Sequence, residues 1–211
     1  MAFIPVGQRP LAYIDTETTG LLADKHEIVS IAIVFDTDVA RAHGIQGLTF
    51  PDGEDYGYFY TLIKPQHLEV AEPKALEING YAAHPELWDD APIFDAVAGQ
   101  VVRLLNGAIP IGHNIKFDTG FVQEAIQRAG IKARIDYHAV DTCTLAWATL
   151  VPDGLERLSL DSIRDFLGWD KEGAHTALQD ALDARRLYKL TVDRINEASH
   201  IREQAAVVAK P

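Results

Sequence analysis

The chain has 211 residues, 47% apolar and 24% charged, the proportions of a soluble globular protein large enough for a core of its own. A formal net charge of −12 argues against holding nucleic acid by general phosphate neutralisation, though not against an enzyme that meets phosphates through a bound cation. No apolar run approaches the roughly 18 residues that span a bilayer, so no membrane partner is expected. The single cysteine, Cys143, excludes an internal disulfide and fits a reducing compartment, with the cytoplasm as the default.

The opening MAFIPVGQRP, broken by Pro5 and Pro10, has too short an apolar core for a signal peptide. Leu11 to Ile14 then reads as an apolar strand running into Asp15-Thr16-Glu17-Thr18-Thr19-Gly20. Strand side chains alternate, so Asp15 and Glu17 share a face. Like charges so placed repel, and a hard divalent cation between them relieves the conflict through oxygen ligands. On these two residues alone, a plain strand end with both acids solvated is the simpler reading.

Glu27 to Phe35 is β-branched and apolar, a central strand, and Tyr58 to Ile63 a third. The connection between them is expected to be a long loop with an exposed acidic tip around Asp52 to Asp55. Three early strands without intervening helices predict an antiparallel meander. Glu72-Pro73 opens a short helix over Lys74 to Ile78, closed by Asn79-Gly80. Phe94, Val97, Val101, Leu104 and Leu105 mark one face of a stronger helix that stops at Asn106-Gly107. Ile109 to Gly112 is a short buried strand, Phe117 to Ala129 a helix, Tyr137 to Val140 a last strand, and Asp141 to Leu150 and Ser159 to Leu167 two more helices. A final helix from Ala177 to about Ile195 precedes a C-terminal extension over 196–211. Trp147 and Trp169 are assigned to the core. The sum is one α/β domain over 1–211, its core about 11–195, with a mixed sheet covered by helices.

Two further stretches carry chemistry. In Gly112-His113-Asn114-Ile115-Lys116-Phe117-Asp118 a strand ends and a helix begins. Groups at the carboxyl ends of strands gather at the site of an open α/β sheet, which would bring Asp118 to the first pair; a first-turn aspartate stabilising the helix dipole is the plainer option. His113 and Asn114 read as hydrogen-bonding supports of that turn. In Gly173-Ala174-His175-Thr176-Ala177-Leu178-Gln179-Asp180, Thr176 and Gln179 form a capping box. His175 therefore lies on the loop before the helix and Asp180 in its first turn. Asp183, with Arg185 and Arg186 nearby, reads as surface pairing.

Together DTETTG, HNIKFD and HTALQD, in that order, resemble the three motifs of the DEDDh group of DnaQ-like 3′–5′ exonucleases. LIKP, KALEINGY, VDTCTLAW and SLDSIRDFLG look like matching stretches of the polymerase III epsilon proofreading subunits, so the likeness covers about Leu11 to Leu190. It departs at Asn79, where that subunit has His, and in a longer connection after the second strand. The resemblance implies an RNase H-like mixed five-stranded sheet with helices on both faces. It makes Asp15, Glu17, Asp118 and Asp180 ligands of two Mg²⁺ or Mn²⁺ ions about 3.5–4 Å apart, with His175 as the base taking the water's proton. Thr18, Leu21, Ile78, Asn79, Phe117 and His175 would contact the terminal nucleotide. The expected reaction is release of nucleoside 5′-monophosphates from single-stranded or 3′-frayed nucleic acid, DNA first. The expected partners are that nucleic acid and a DNA polymerase. RNA trimming in the manner of RNase T or oligoribonuclease is the alternative, and an inactive binding module of the same fold the third.

Overall fold

The computed structural model describes residues 4–45, 48–49 and 55–208, and of residues 48–49 and 202–208 the backbone only. Its strands are β1 (Leu11–Thr18), β2 (Ile28–Asp36), β3 (Leu48–Thr49), β4 (Asp55–Leu62), β5 (Ile109–Gly112) and β6 (Val140–Asp141). Its helices are α1 (Thr37–Ala42), α2 (Pro73–Ile78), α3 (Phe94–Leu105), α4 (Ile115–Arg128), α5 (Thr142–Thr149), α6 (Leu160–Leu167) and α7 (Ala177–Val208). The strands lie in the order β3-β4-β2-β1-β5-β6. β1, β2 and β4 form the antiparallel meander, whereas β5 runs parallel to β1 and β6 parallel to β5. The expected five-stranded mixed sheet is present, and the two-residue β3 pairs with β4 at its edge.

The alternation in β1 divides the interior. Ala12 and Ile14 join Ile31, Ile33 and Phe35 of β2 under α3 and α4, with Val101, Leu104, Phe121 and Ile126. Tyr13 points the other way, joining Ala32, Val34, Ile111 and the α7 residues Ala177 and Ala181. Helices thus cover both faces, and β2 is buried along all but its last residue, as expected of a strand whose apolar run does not alternate. A third cluster, Ala146, Leu150, Leu155, Ile163 and Leu187, ties α5 and α6 to α7.

Local chemistry sets the boundaries. Pro73 opens α2, where its missing N–H costs nothing. Ser159 caps α6 by accepting from the Ser162 N–H, and Gly168, at φ 65°, ends it. Three expectations are corrected. The connection after β2 contains a helix, α1, whose six residues are too few to display a period; of the acidic tip, residues 52–54 lie outside the described residues, and Asp55 begins β4. α4 starts at Ile115 rather than Phe117, because Asn114 adopts the left-handed conformation (φ 65°) and turns the chain at once. Trp147 is 63% exposed: its neighbour Ala146 takes the buried face of α5 and Trp147 points away. Trp169 packs against the third cluster, with the Arg186 guanidinium 4.2 Å from its ring centre. Among the described residues no helix is long and apolar enough to cross a membrane.

Candidate active site

β1 carries Asp15 and Glu17 on the α7 face of the sheet, in register with Ala32 and Ser30 of β2. Asp180, in the first turn of α7, meets them from above that face. One carboxylate oxygen from each of Asp15, Glu17 and Asp180 lies within 4.8 Å of the others. Arg164 offers one positive charge, to Asp180, and three half-buried carboxylates cannot all stay charged there without a further counter-ion. Burial, then the charges of Asp118, Asp180 and Glu17, hold the Asp15 carboxyl well above its usual range. Burial and the charges of Asp180 and Asp118 push Glu17 up to about 8. Hard oxygen donors only, crowded and short of positive charge, form a set that a divalent cation suits.

Asp118 stands beside this triplet rather than within it. It is buried, and one oxygen, Oδ1, accepts from the Thr16 main-chain N–H at 2.9 Å and the Thr16 hydroxyl at 2.8 Å. Burial raises its carboxyl to about 7, against the pull of those two donors. Thr16, between the two strand acids in sequence, thus ties the second motif to the first from the opposite face of β1.

The loop before α7 keeps half of the expected capping box, since the Thr176 N–H donates to the Gly173 carbonyl and the Gln179 side chain turns to Asp183. The Thr176 hydroxyl accepts from the Gln179 N–H at 3.4 Å. His175 adopts φ 63° and donates its main-chain N–H to Asp180 Oδ1 at 3.2 Å. Its half-exposed ring reaches Asp161, Nε2 to Oδ2 3.4 Å.

Of the residues expected around a terminal nucleotide, Thr18 ends β1, Leu21 follows in the turn after it, and Ile78 and Asn79 end the helix that docks there. Asn79 donates to the Thr18 carbonyl at 3.0 Å, and the Glu72 N–H donates to the Thr19 carbonyl at 2.7 Å, so both ends of α2 dock on this turn. Leu21 (70% exposed) and Ile78 (48%) project from it. Phe117 is half-buried against the core, its ring 4.7 Å from that of Phe121. Thr18 is buried, its hydroxyl donating to the Gly20 carbonyl, so it shapes the turn from within. His113 is the support expected of it. Its ring nitrogens lie 3.0 Å from the Thr142 hydroxyl and 2.6 Å from the Leu158 carbonyl, with the Cys143 sulfur at 3.2 Å.

Sequence reasoning missed Arg164 and misread Asp183. Asp183 is buried and pairs with Arg164 Nε at 2.8 Å rather than with the arginines beside it. The same guanidinium reaches Asp180. The clue available was SLDSIRDFLG, an apolar-faced helix whose lone arginine sits next to Ile163 on the buried side.

Three comparisons bear on this arrangement. The RNase_T family, described as Exonuclease, matches residues 13–188. The epsilon subunit of DNA polymerase III from Pasteurella multocida is 34% identical over 125 residues, 58% of this chain and 47% of that protein. Ribonuclease T from Cronobacter sakazakii is 28% identical over 192 residues, 86% of this chain and 80% of its own. Among solved structures, Escherichia coli exonuclease I in complex with a dT13 oligonucleotide superposes with a TM-score of 0.68 at 16% identity, over 93% of this chain and 43% of that one; at that identity the likeness is one of fold. The match spans about half the length of the epsilon subunits from Pasteurella multocida and Haemophilus influenzae.

Proposed function

This chain belongs to the RNase_T exonuclease family, and on that premise we propose that it hydrolyses phosphodiester bonds from the 3′ end of single-stranded or frayed nucleic acid, DNA first, releasing nucleoside 5′-monophosphates. The observation that carries the reading is the convergence of Asp15, Glu17 and Asp180 within 4.8 Å, from the first strand and the last helix. The likeness to DNA polymerase III epsilon subunits supports DNA as substrate and a polymerase as partner.

Asp15, Glu17 and Asp180 would hold one divalent cation, and Asp15 with Asp118 a second, Mg²⁺ or Mn²⁺ in each place. When bound, such ions supply a nucleophilic hydroxide at neutral pH and stabilise the charge on the leaving oxygen. The protein's own residues do the rest. Thr16 fixes the rotation of Asp118 through two donors on one oxygen. The ring of His175, on its half-exposed loop, would take the proton of the attacking water. Leu21, Ile78 and Phe117 offer apolar surface on which the terminal base can stack, and Asn79 keeps α2 against the β1 turn.

Incubation with 3′-labelled single-stranded DNA should release labelled mononucleotide in Mg²⁺ or Mn²⁺ and none in EDTA. Asp15→Ala and His175→Ala should each cut release at least about a hundredfold while the fold, read by circular dichroism, is kept. Metal-independent release, or full activity in Asp15→Ala, would defeat the assignment. A second reading, trimming of RNA, is favoured by one observation: the ribonuclease T relative is matched over most of both chains. The same assay on a 3′-labelled RNA of equal sequence decides between them by the ratio of kcat/KM.

A further inference from the structure

Arg164 is fully buried, and three carboxylates surround its guanidinium. Nε donates to Asp183 Oδ2 at 2.8 Å, Nη1 to Asp161 Oδ1 at 2.9 Å, and Nη2 to Asp180 Oδ1 at 2.6 Å. An arginine kept only to neutralise a buried aspartate needs one partner, and Asp183 already has Gln179 as another donor, at 3.2 Å. This one spans two helices and reaches a member of the acidic triplet.

The manner of that contact matters more than its charge. Asp180 receives two donors, the Arg164 Nη2 and the His175 N–H, and both fall on Oδ1. A carboxylate gripped twice on one oxygen cannot turn about its last bond without losing both. Asp161 extends the same fork outward, accepting from Arg164 on Oδ1 and meeting the His175 ring with Oδ2.

The geometry points to Arg164 as the positioning residue of this site: it commits one oxygen of Asp180 so that the other is presented, in a fixed direction, to a divalent cation shared with Asp15 and Glu17. The inference rests on reading those three acids as metal ligands. A partner behind a ligand commonly governs metal affinity by 10–100-fold, and a planar fork with several fixed donors does what a single ammonium cannot.

The test is Mn²⁺ binding to the metal-free full chain, measured without substrate by calorimetry or by the loss of the free-ion electron paramagnetic resonance signal. Arg164→Lys keeps the charge and removes the fork. The pair Arg164→Met with Asp183→Asn removes one positive and one negative charge together, so the net field at the site changes little and no buried Asp183 charge is stranded. Each should weaken Mn²⁺ binding about tenfold or more, at a temperature where circular dichroism shows the parent's fold. If one of them does not fold, the other decides. Binding within twofold of the parent, or tighter, in a folded variant would overturn the positioning role, since a merely structural ion pair would shift the melting temperature alone. If the parent takes up no Mn²⁺, or Asp15→Ala binds as tightly as the parent, the ligand reading itself falls, and this inference with it.

Discussion

Glu17 is the residue whose chemistry most depends on what occupies the site. Without a cation its carboxyl titrates at about 8 in the fold against an ordinary 4.5, through burial and the charges of Asp180 and Asp118. The folded chain then holds this proton more tightly than the unfolded chain. Glu17's contribution to stability is therefore full below about pH 4.5 and is lost as the pH rises through 8. His113, held low by burial, pulls the opposite way as the pH rises toward 6.5, so the comparison must isolate Glu17. In EDTA, the melting temperature of the parent should fall relative to that of Glu17→Gln between pH 5 and 8, and scanning calorimetry across that range reads the difference. Parallel curves would mean that Glu17 is not strained. The two strand acids were legible because alternation puts positions two apart on one face. Arg164 was not, because two of its three carboxylate partners, Asp180 and Asp183, lie on another helix, and its place beside Ile163 on the apolar face of α6 was the one local clue to its burial.

At the scale of elements, the site depends on how closely β5 approaches β1. A Cβ on Gly112 would lie 2.7 Å from the Ile14 carbonyl oxygen and 2.8 Å from Ile115 Cδ1. One of these contacts is main chain in the neighbouring strand, so the clash cannot be relieved by a rotamer change. Gly112→Ala should cost about 1–3 kcal/mol, a fall of roughly 2–4 °C in melting temperature for each kcal/mol, and should displace Asp118 at the start of α4. An unchanged melting temperature would contradict so tight a packing. Most elements could be read from period and punctuation: α3 from its apolar face, α2 from Pro73 and Asn79, α7 from its capping box. Those that escaped were short or shaped by a single residue. α1 has six residues, and the start of α4 is decided by the left-handed turn at Asn114. The exposure of Trp147 reflects which side of α5 meets α7, a fact of tertiary packing.

At the scale of the molecule, the family and the mixed sheet were legible because three motifs come in order and each sits at the end of a predictable strand or the start of a helix. The pairing that joins them was not, since it is made across the sheet. Thr16 ties α4 to β1, Arg164 ties α6 to α7, and Arg185 of α7 holds Asp36 at the end of β2 at 2.6 Å. Of the 19 lysines and arginines, Arg164 and Arg185 are buried, and both are spent on these internal pairs.

The triplet draws two acids from the first strand and one from the last helix, and this gives the site a place in time as well as in space. A half-made chain, or a partly folded one, has no cluster to offer, because contacts so distant along the chain close late. A divalent cation should therefore act on escape from the native state and not on arrival at it. In stopped-flow experiments, Mg²⁺ in place of EDTA should slow unfolding while leaving the refolding rate nearly unchanged. A refolding rate that rose with metal would mean that Asp15, Glu17 and Asp180 meet early. Until they meet, the chain carries its acids as ordinary solvated charges, and the three-carboxylate cluster arrives only with the last helix.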